Sequence, residues 1–150
     1  MILNIRKIGD PVLRTKSREL TQVTDQTREI LDNMAETMYA APGVGLAAPQ
    51  VGILQRLVVI DVGEDYGLVQ LINPVITEYS EEKEIIEEGC LSIPGREGEV
   101  IRSKSVTVKA LNRDGKKIEI KAEGYLARAI QHEVDHLNGI LFVDKVREQE

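Results

Sequence analysis

The sequence predicts a single domain of mixed helices and strands in which β-sheets flank a buried C-terminal helix. Three observations carry this: a helical segment near the C-terminus that is apolar almost all round, an earlier helix with one apolar face, and strand-like segments between them. The first helix signal spans residues 24–41, with Ile30, Leu31, Met34 and Met38 on one face and Pro42-Gly43 as its stop. That single face packs on the core and leaves this helix outside the sheets. Leu57-Val58-Val59-Ile60 is a continuous apolar run, the mark of a strand covered on both sides, and residues 68–76 read as a second strand. Val106, Val108 and Ala110 alternate with polar residues, as do Ile118 and Ile120 beyond Asp114-Gly115, which predicts a hairpin. The last helix spans residues 125–137, and Asn138-Gly139 supply a left-handed cap. On it Leu126, Ala127, Ala129, Ile130, Val134 and Leu137 leave little polar surface beyond Arg128, Gln131 and a cluster of histidines and acids. A helix with almost no wet face must be covered, so sheets flank it.

Composition limits the function classes. The 150 residues, 42% of them apolar, suffice for one core, and no repeat, linker or low-complexity tract divides them. A net charge of −6 and 3% aromatic content disfavour a DNA- or RNA-binding face. No apolar stretch has the length of a signal peptide or membrane span, which predicts a soluble, cytoplasmic protein with no membrane partner. A single cysteine, Cys90, forms no internal disulfide and is buried filler, a nucleophile or a ligand.

The only two histidines, His132 and His136, lie four residues apart with Glu133 between them. Chance gives that arrangement about once in 700. On a helix the spacing puts both imidazoles on one face, where they grip a metal while the glutamate handles protons. The bland alternative is a pair of hydrogen-bonded core histidines.

Two histidines need at least one more protein ligand. The longer pattern His-Glu-x-x-His-x-x-Gly-x-x-His matches through Gly139 but meets Phe142 at its last position, which coordinates nothing. Downstream only residues 140–150 remain, with Asp144, Glu148 and Glu150 as carboxylates. The third ligand is therefore sought upstream, and Cys90 in Glu87-Glu88-Gly89-Cys90-Leu91-Ser92 is the candidate. Neighbouring carboxylates make it a poor bare nucleophile, whereas a divalent cation deprotonates the thiol it binds. The acidic run 81–88 otherwise reads as a solvated strand or turn.

The glycine-rich segment 43–50, GVGLAAPQ, fits Gly-x-Gly-x-x-Ala superficially, but it follows a helix and Pro49 blocks the helix that should open there, so nucleotide binding is rejected. A helix stop and turn explains Pro42-Gly43. It leaves Gly45, a backbone that substrate can approach closely, and Gln50, an amide able to donate to an oxyanion, without a role.

GVGLAAPQ at 43–50, EGCLS at 88–92 and QHEVDHLNG at 131–139, in this order, resemble the three signature motifs of the bacterial peptide deformylase family, and Gly9-Asp10-Pro11-Val12-Leu13-Arg14 resembles its N-terminal segment. The resemblance covers nearly the whole chain. It implies a single catalytic domain over residues 1–150 of the α+β class, with mixed or antiparallel β-sheets enclosing the metal-binding helix and the N-terminal helix packed outside. It implies a hydrolase of protein biosynthesis that releases formate from the N-terminal formyl-methionine of new polypeptides. Those nascent chains, and a transient ribosome contact, are the implied partners, although residues 143–150 stand where some family members carry a longer C-terminal helix. Cys90, His132 and His136 become the protein ligands of one divalent metal, usually Fe(II), with Zn, Ni or Co as substitutes. Glu133 becomes the proton carrier, and the Leu91 backbone N–H and the Gln50 side chain become oxyanion donors. A thiolate leaves the site with net charge about +1, so Glu133 matters more.

Ala129 and Tyr125 lie three and seven residues before His132 on the same face. With Val44, Ile86, Gly45 and Gly89 they are expected to form the substrate side of the site, and Ala129 leaves room for a methionine side chain. Arg102 is matched by a family arginine and is expected either to pair with Glu88 or Asp135 or to sit as a solvated strand-edge charge. Two rival readings stay open: a metallopeptidase cutting internal bonds, and a non-catalytic Cys-His-His metal module.

Overall fold

The computed structural model describes residues 1–63 and 66–147. After the short 3-10 turn Pro11–Arg14 come α1 (Asp25–Ala40), β1 (Gly45–Ala47), a 3-10 turn at Ala48–Val51, β2 (Leu57–Ile60), β3 (Val69–Tyr79), β4 (Lys83–Cys90), β5 (Ile93–Ser103), β6 (Ser105–Leu111), β7 (Lys117–Glu123) and α2 (Gly124–Leu137). Five strands form one sheet in the order β1-β2-β3-β6-β7, and β4 and β5 form a separate hairpin. Every pairing of named strands is antiparallel, so of the two expected sheet types the antiparallel one is found. The fold is α+β.

Local chemistry explains the boundaries. Thr24 caps α1 by accepting from Thr27 N while the Thr27 hydroxyl accepts from Thr24 N, satisfying donors that a helix start leaves open. Leu31, Met34 and Met38 from α1 are fully buried against Leu46, Leu57, Val59 and Ile72 on the outer side of the large sheet. The inner side carries Val58, Ile60, Leu71, Val106 and Val108 onto Leu126, Ala127, Ile130 and Leu137 of α2. Leu57–Ile60 is buried at every position because it has helix on both sides. β3 runs three residues beyond the predicted 68–76, through a bulge at Asn73 and Pro74. There Asn73 takes φ 52° and its side chain exchanges two hydrogen bonds with the Leu20 backbone. That local pairing holds the irregular strand together where a propensity reading ends it.

The hairpin β4–β5 covers the other side of α2; the sequence reads residues 81–88 as a solvated strand or turn and does not delimit β5. Its polarity is inverted: Ile85 and Ile101, cross-strand partners, are 46% and 47% exposed, while Glu88 and Arg102 are buried. Val146 bridges to Val100, Arg147 N donates to Glu99 O, and the Val146 side chain occupies the space a Cβ at Gly98 would need. The chain after α2 thus lies along β5. At the end of α2, Gly139 adopts φ 75°, and a Cβ there would sit 2.7 Å from the Arg14 carbonyl oxygen, so the position requires glycine on both counts. Asp144, a carboxylate near the motif in sequence, pairs with Arg14 instead. Glu148 and Glu150 lie outside the described residues.

Candidate active site

α2 supplies two imidazoles. The ligand-type atoms of His132, His136 and Cys90 all lie within 4.8 Å of one another, with Cys90 Sγ 3.3 Å from His136 Nε2. Two ligands on a tetrahedral ion with bonds of about 2.0–2.3 Å are about this far apart, and one thiolate with two imidazoles is a donor set that divalent transition metals accept. The residues therefore fit a metal.

Cys90 reaches this place because the ladder is interrupted at Gly89, opposite four residues of β5, and resumes at a tight turn over Leu91-Ser92 that pairs Cys90 with Ile93. Residues 94–97 loop outward opposite Gly89. Gln50, 1% exposed, is fixed at both ends of its amide: Ala47 N donates to Oε1 at 2.9 Å, and Nε2 donates to Ser92 Oγ at 3.1 Å and lies 3.5 Å from Cys90 Sγ. Its N–H₂ end is thereby aimed at the thiol. Leu91 packs against Gly43, where a Cβ would meet Leu91 Cδ1 at 2.7 Å.

Glu88 lies beneath the histidines as a buried carboxylate. Arg102 donates to it through Nε at 2.6 Å and Nη2 at 3.0 Å, Arg128 donates through Nη1, and His132 Nδ1 lies 2.9 Å from Oε1. Burial opposes its ionisation, but the bonds from His132 and Arg102 and the Arg102 charge hold its carboxyl at about 2. It is not part of a solvated acidic run. Arg102, 4% exposed, pairs with both Glu88 and Asp135 and is not a strand-edge charge; Lys145 adds a second cation to Asp135 at 3.0 Å. The carboxylate beside Cys90 that should oppose a thiolate is thus neutralised, while Glu87 lies on the exposed face, its carboxyl raised by Glu97 and Glu99.

The proton-binding groups divide by surroundings. Burial lowers His136 well below the usual imidazole range, so its ring is neutral and able to ligate. Burial acts the same way on His132, but the Glu133 charge and the bonds to Cys90 and Glu88 push it up to about 10, so a cation taking that ring must displace a proton. Burial raises Glu133 to about 7, against the pull of His132 and Arg102. Its Oε1 is buried without a hydrogen-bond partner among the described residues, and its Oε2 would lie 2.5 Å from a Cβ at position 45. Gly45 is the middle of neither a turn nor a loop; it opens β1, and the space its missing side chain leaves is taken by the Glu133 carboxylate.

A cavity of about 640 Å³ opens over this group. It brings together Val44, Gly45, Gln50, Ile86, Gly89, Cys90, Leu91, Tyr125, Ala129, His132 and Glu133, with His136 beneath. Val44 and Tyr125, 59% and 63% exposed, stand at the mouth; Ala129 is buried. Val62, Arg96, Glu97 and Arg128 also line it and are missed by the sequence reading. Only Arg128 left a signal, as a cation on a helix with no wet face.

Residues 2–150 match the family described as polypeptide deformylase. The chain belongs to this family. A peptide deformylase of Halothermothrix orenii is 63% identical over 145 residues, 97% of this chain and 94% of that protein, and peptide deformylase 1 of Clostridium acetobutylicum is 60% identical over 149 residues, 99% and 97%. The crystal structure of Thermotoga maritima peptide deformylase superposes with a TM-score of 0.95 at 48% identity over 99% of each chain. That of the Synechococcus elongatus enzyme in complex with actinonin gives 0.93 at 44% identity over 98% of this chain and 80% of that one. Membership makes the chain a metal-dependent hydrolase of protein biosynthesis that removes the formyl group from nascent polypeptides. No helix among the described residues is long and apolar enough to cross a membrane.

Two outcomes follow from this deformylase geometry. Gly45→Ala, by pushing the Glu133 carboxylate aside, should cut turnover about 100-fold while metal content stays unchanged, measured by formate release and elemental analysis. Because the folded state holds Glu88 at about 2 against a reference of 4.5, its ionisation stabilises the protein above pH 4.5, and that contribution is lost as pH falls toward 2. Urea midpoints of the chelator-treated protein should therefore decline between pH 5 and 2, and less steeply in Glu88→Gln.

Proposed function

We propose that the deformylation is carried out by Cys90, His132 and His136 holding one divalent metal and by Glu133 moving the proton, within a single catalytic domain. Fe(II) is the metal in this reading, with Zn, Ni and Co as substitutes that the same donors accept. Bound there, the metal would supply Lewis acidity to the formyl carbonyl and lower the pKa of water. What carries the reading is the pairing, in one cavity, of a three-ligand cluster with a buried carboxylate whose Oε1 has no partner among the described residues.

Glu133 Oε1 accepts the proton of the attacking water as its oxygen bonds to the formyl carbon. The same carboxyl then gives that proton to the amide nitrogen as the carbon–nitrogen bond breaks, releasing a free amine and formic acid, which gives its own proton to the solvent or the amine and leaves as formate. A carboxyl raised to about 7 suits both halves of this transfer near neutral pH. Gln50 Nε2, held in orientation by Ala47 and Ser92, and the Leu91 N–H donate to the developing oxyanion, each worth about 3 kcal/mol on the scale of such donors. Gly89 and Gly45 present backbone to the peptide. Val44, Ile86, Tyr125 and Ala129, which line the cavity together with Cys90 and His132, receive the methionine side chain. The substrate's N-formylmethionine places the enzyme in the cytoplasm, with a transient contact at the ribosome where such chains emerge.

The protein purified anaerobically and loaded with iron or zinc should release formate from formyl-Met-Ala and leave an unformylated peptide intact; no formate with either metal overturns the reading. Glu133→Ala should keep its metal and lose at least about 100-fold in rate. Ala129→Phe should lower kcat/KM for formyl-Met-Ala about tenfold or more by filling the slot, and unchanged turnover places the side chain elsewhere.

A further inference from the structure

The metal ligands arrive on two pieces that share no strand pairing. His132 and His136 ride on α2, which packs on the five-stranded sheet, whereas Cys90 rides on the separate β4–β5 hairpin. A two-stranded hairpin alone has little stability in water, so its position relative to α2 depends on what ties the two together. Arg128 lies on α2 one turn before His132 and is 7% exposed. Its Nη2 donates to Glu84 O at 2.9 Å, and its Nη1 donates to Glu88 Oε2 and to Val100 O at 3.2 Å. One guanidinium thus holds both hairpin strands, β4 at two points and β5 at one. Other ties, Arg102 to Asp135 and Gln131 to the Ser103 backbone, act farther along the hairpin from the thiol.

We propose that Arg128 is a positioning residue that clamps the Cys90-bearing hairpin to the histidine-bearing helix and so sets the separation of thiolate and imidazoles. A guanidinium suits the role because its planar fork spreads its donors over two nitrogens, one reaching Glu84 O and the other Glu88 and Val100 O, whereas an ammonium must serve all three from a single nitrogen. The clamp also fixes Glu88, and Glu88 fixes the His132 ring, so one residue governs both the Cys90 position and the His132 orientation. Arg128 lines the cavity wall, and both of its terminal nitrogens are engaged by protein acceptors on the hairpin.

The inference rests on the metal assignment above, and its test separates the two. Cobalt-loaded wild type, Arg128→Met and Arg128→Lys are compared for thiolate-to-cobalt absorption, rate of metal loss to a chelator, kcat, KM and melting temperature. Absence of a thiolate-to-cobalt band in wild type defeats the metal assignment itself. With that band present, Arg128→Met should weaken or shift it, release metal about 10–100-fold faster, and lower kcat with KM within about threefold of wild type. Arg128→Lys should fold and fall between the two. A wild-type band and metal retention in both variants overturns the clamp, whether melting temperature falls or KM rises, because those results leave Arg128 a support of the fold or a substrate contact. Arg128→Lys indistinguishable from wild type in every readout also overturns it.

Discussion

The buried carboxylate of Glu88 is the constraint on which the rest of the centre depends. Alone, a charge so buried would be costly by several kcal/mol. It persists because Arg102 and Arg128 approach it from different elements, and because His132 takes one of its oxygens. Each partner is thereby fixed in place: the ring of His132 in orientation, β5 through Arg102, α2 through Arg128. Asp135 and Lys145 extend the pairing outward, so the charges in the network come near balance before they meet the Cys90-His132-His136 cluster. The hydrophobic core sets where α2 lies, and this ionic group, with the apolar cluster of Ile93, Val100, Leu13, Leu141 and Phe142, sets how the hairpin meets it.

Around that centre, small side chains do work that larger ones would block. The carboxylate of Glu133 fits only because position 45 lacks a Cβ, and Leu91 reaches its place only because position 43 lacks one. The amide of Gln50 is oriented by bonds at both ends and needs no rearrangement to face the thiol. Preorganisation of this kind lets fixed dipoles act on developing charge without a reorganisation cost at the moment of reaction. Burial lowers His136 and raises Glu133, whereas the Glu133 charge and the bonds to Cys90 and Glu88 raise His132 against it.

Much of this was legible in the chain, for local reasons. α1 has its cap at Thr24 and its stop at Pro42-Gly43; β6 and β7 alternate cleanly about Asp114-Gly115; α2 declares itself by having no wet face. The histidine pair is a helix-periodic signal, and Cys90 entered by residue chemistry and family resemblance. The β4–β5 hairpin was not delimited because Ile85 and Ile101 face out while Glu88 and Arg102 face in, and because residues 94–97 break the alternation. Arg128 and Arg102 were ambiguous for the same reason: a buried cation is distinguished from a solvated one only by its partner, and Glu88 lies far from both in sequence. Gly45 was read through the approach of substrate, whereas the space beside it is occupied by the chain's own carboxylate.

The strip of chain at Val146 and Arg147 has a consequence for what else this surface can bind. An enzyme whose substrates are unfolded, extended polypeptides risks capturing them along any open strand edge, since main-chain hydrogen bonding is indifferent to sequence. Beside the thiol that risk is greatest, because the hairpin there has a free flank. Val146, seated over Gly98, and Arg147, bonded to Glu99, occupy that flank of β5. Nascent chains thus meet a stretch of β5 edge that the protein's own backbone already occupies.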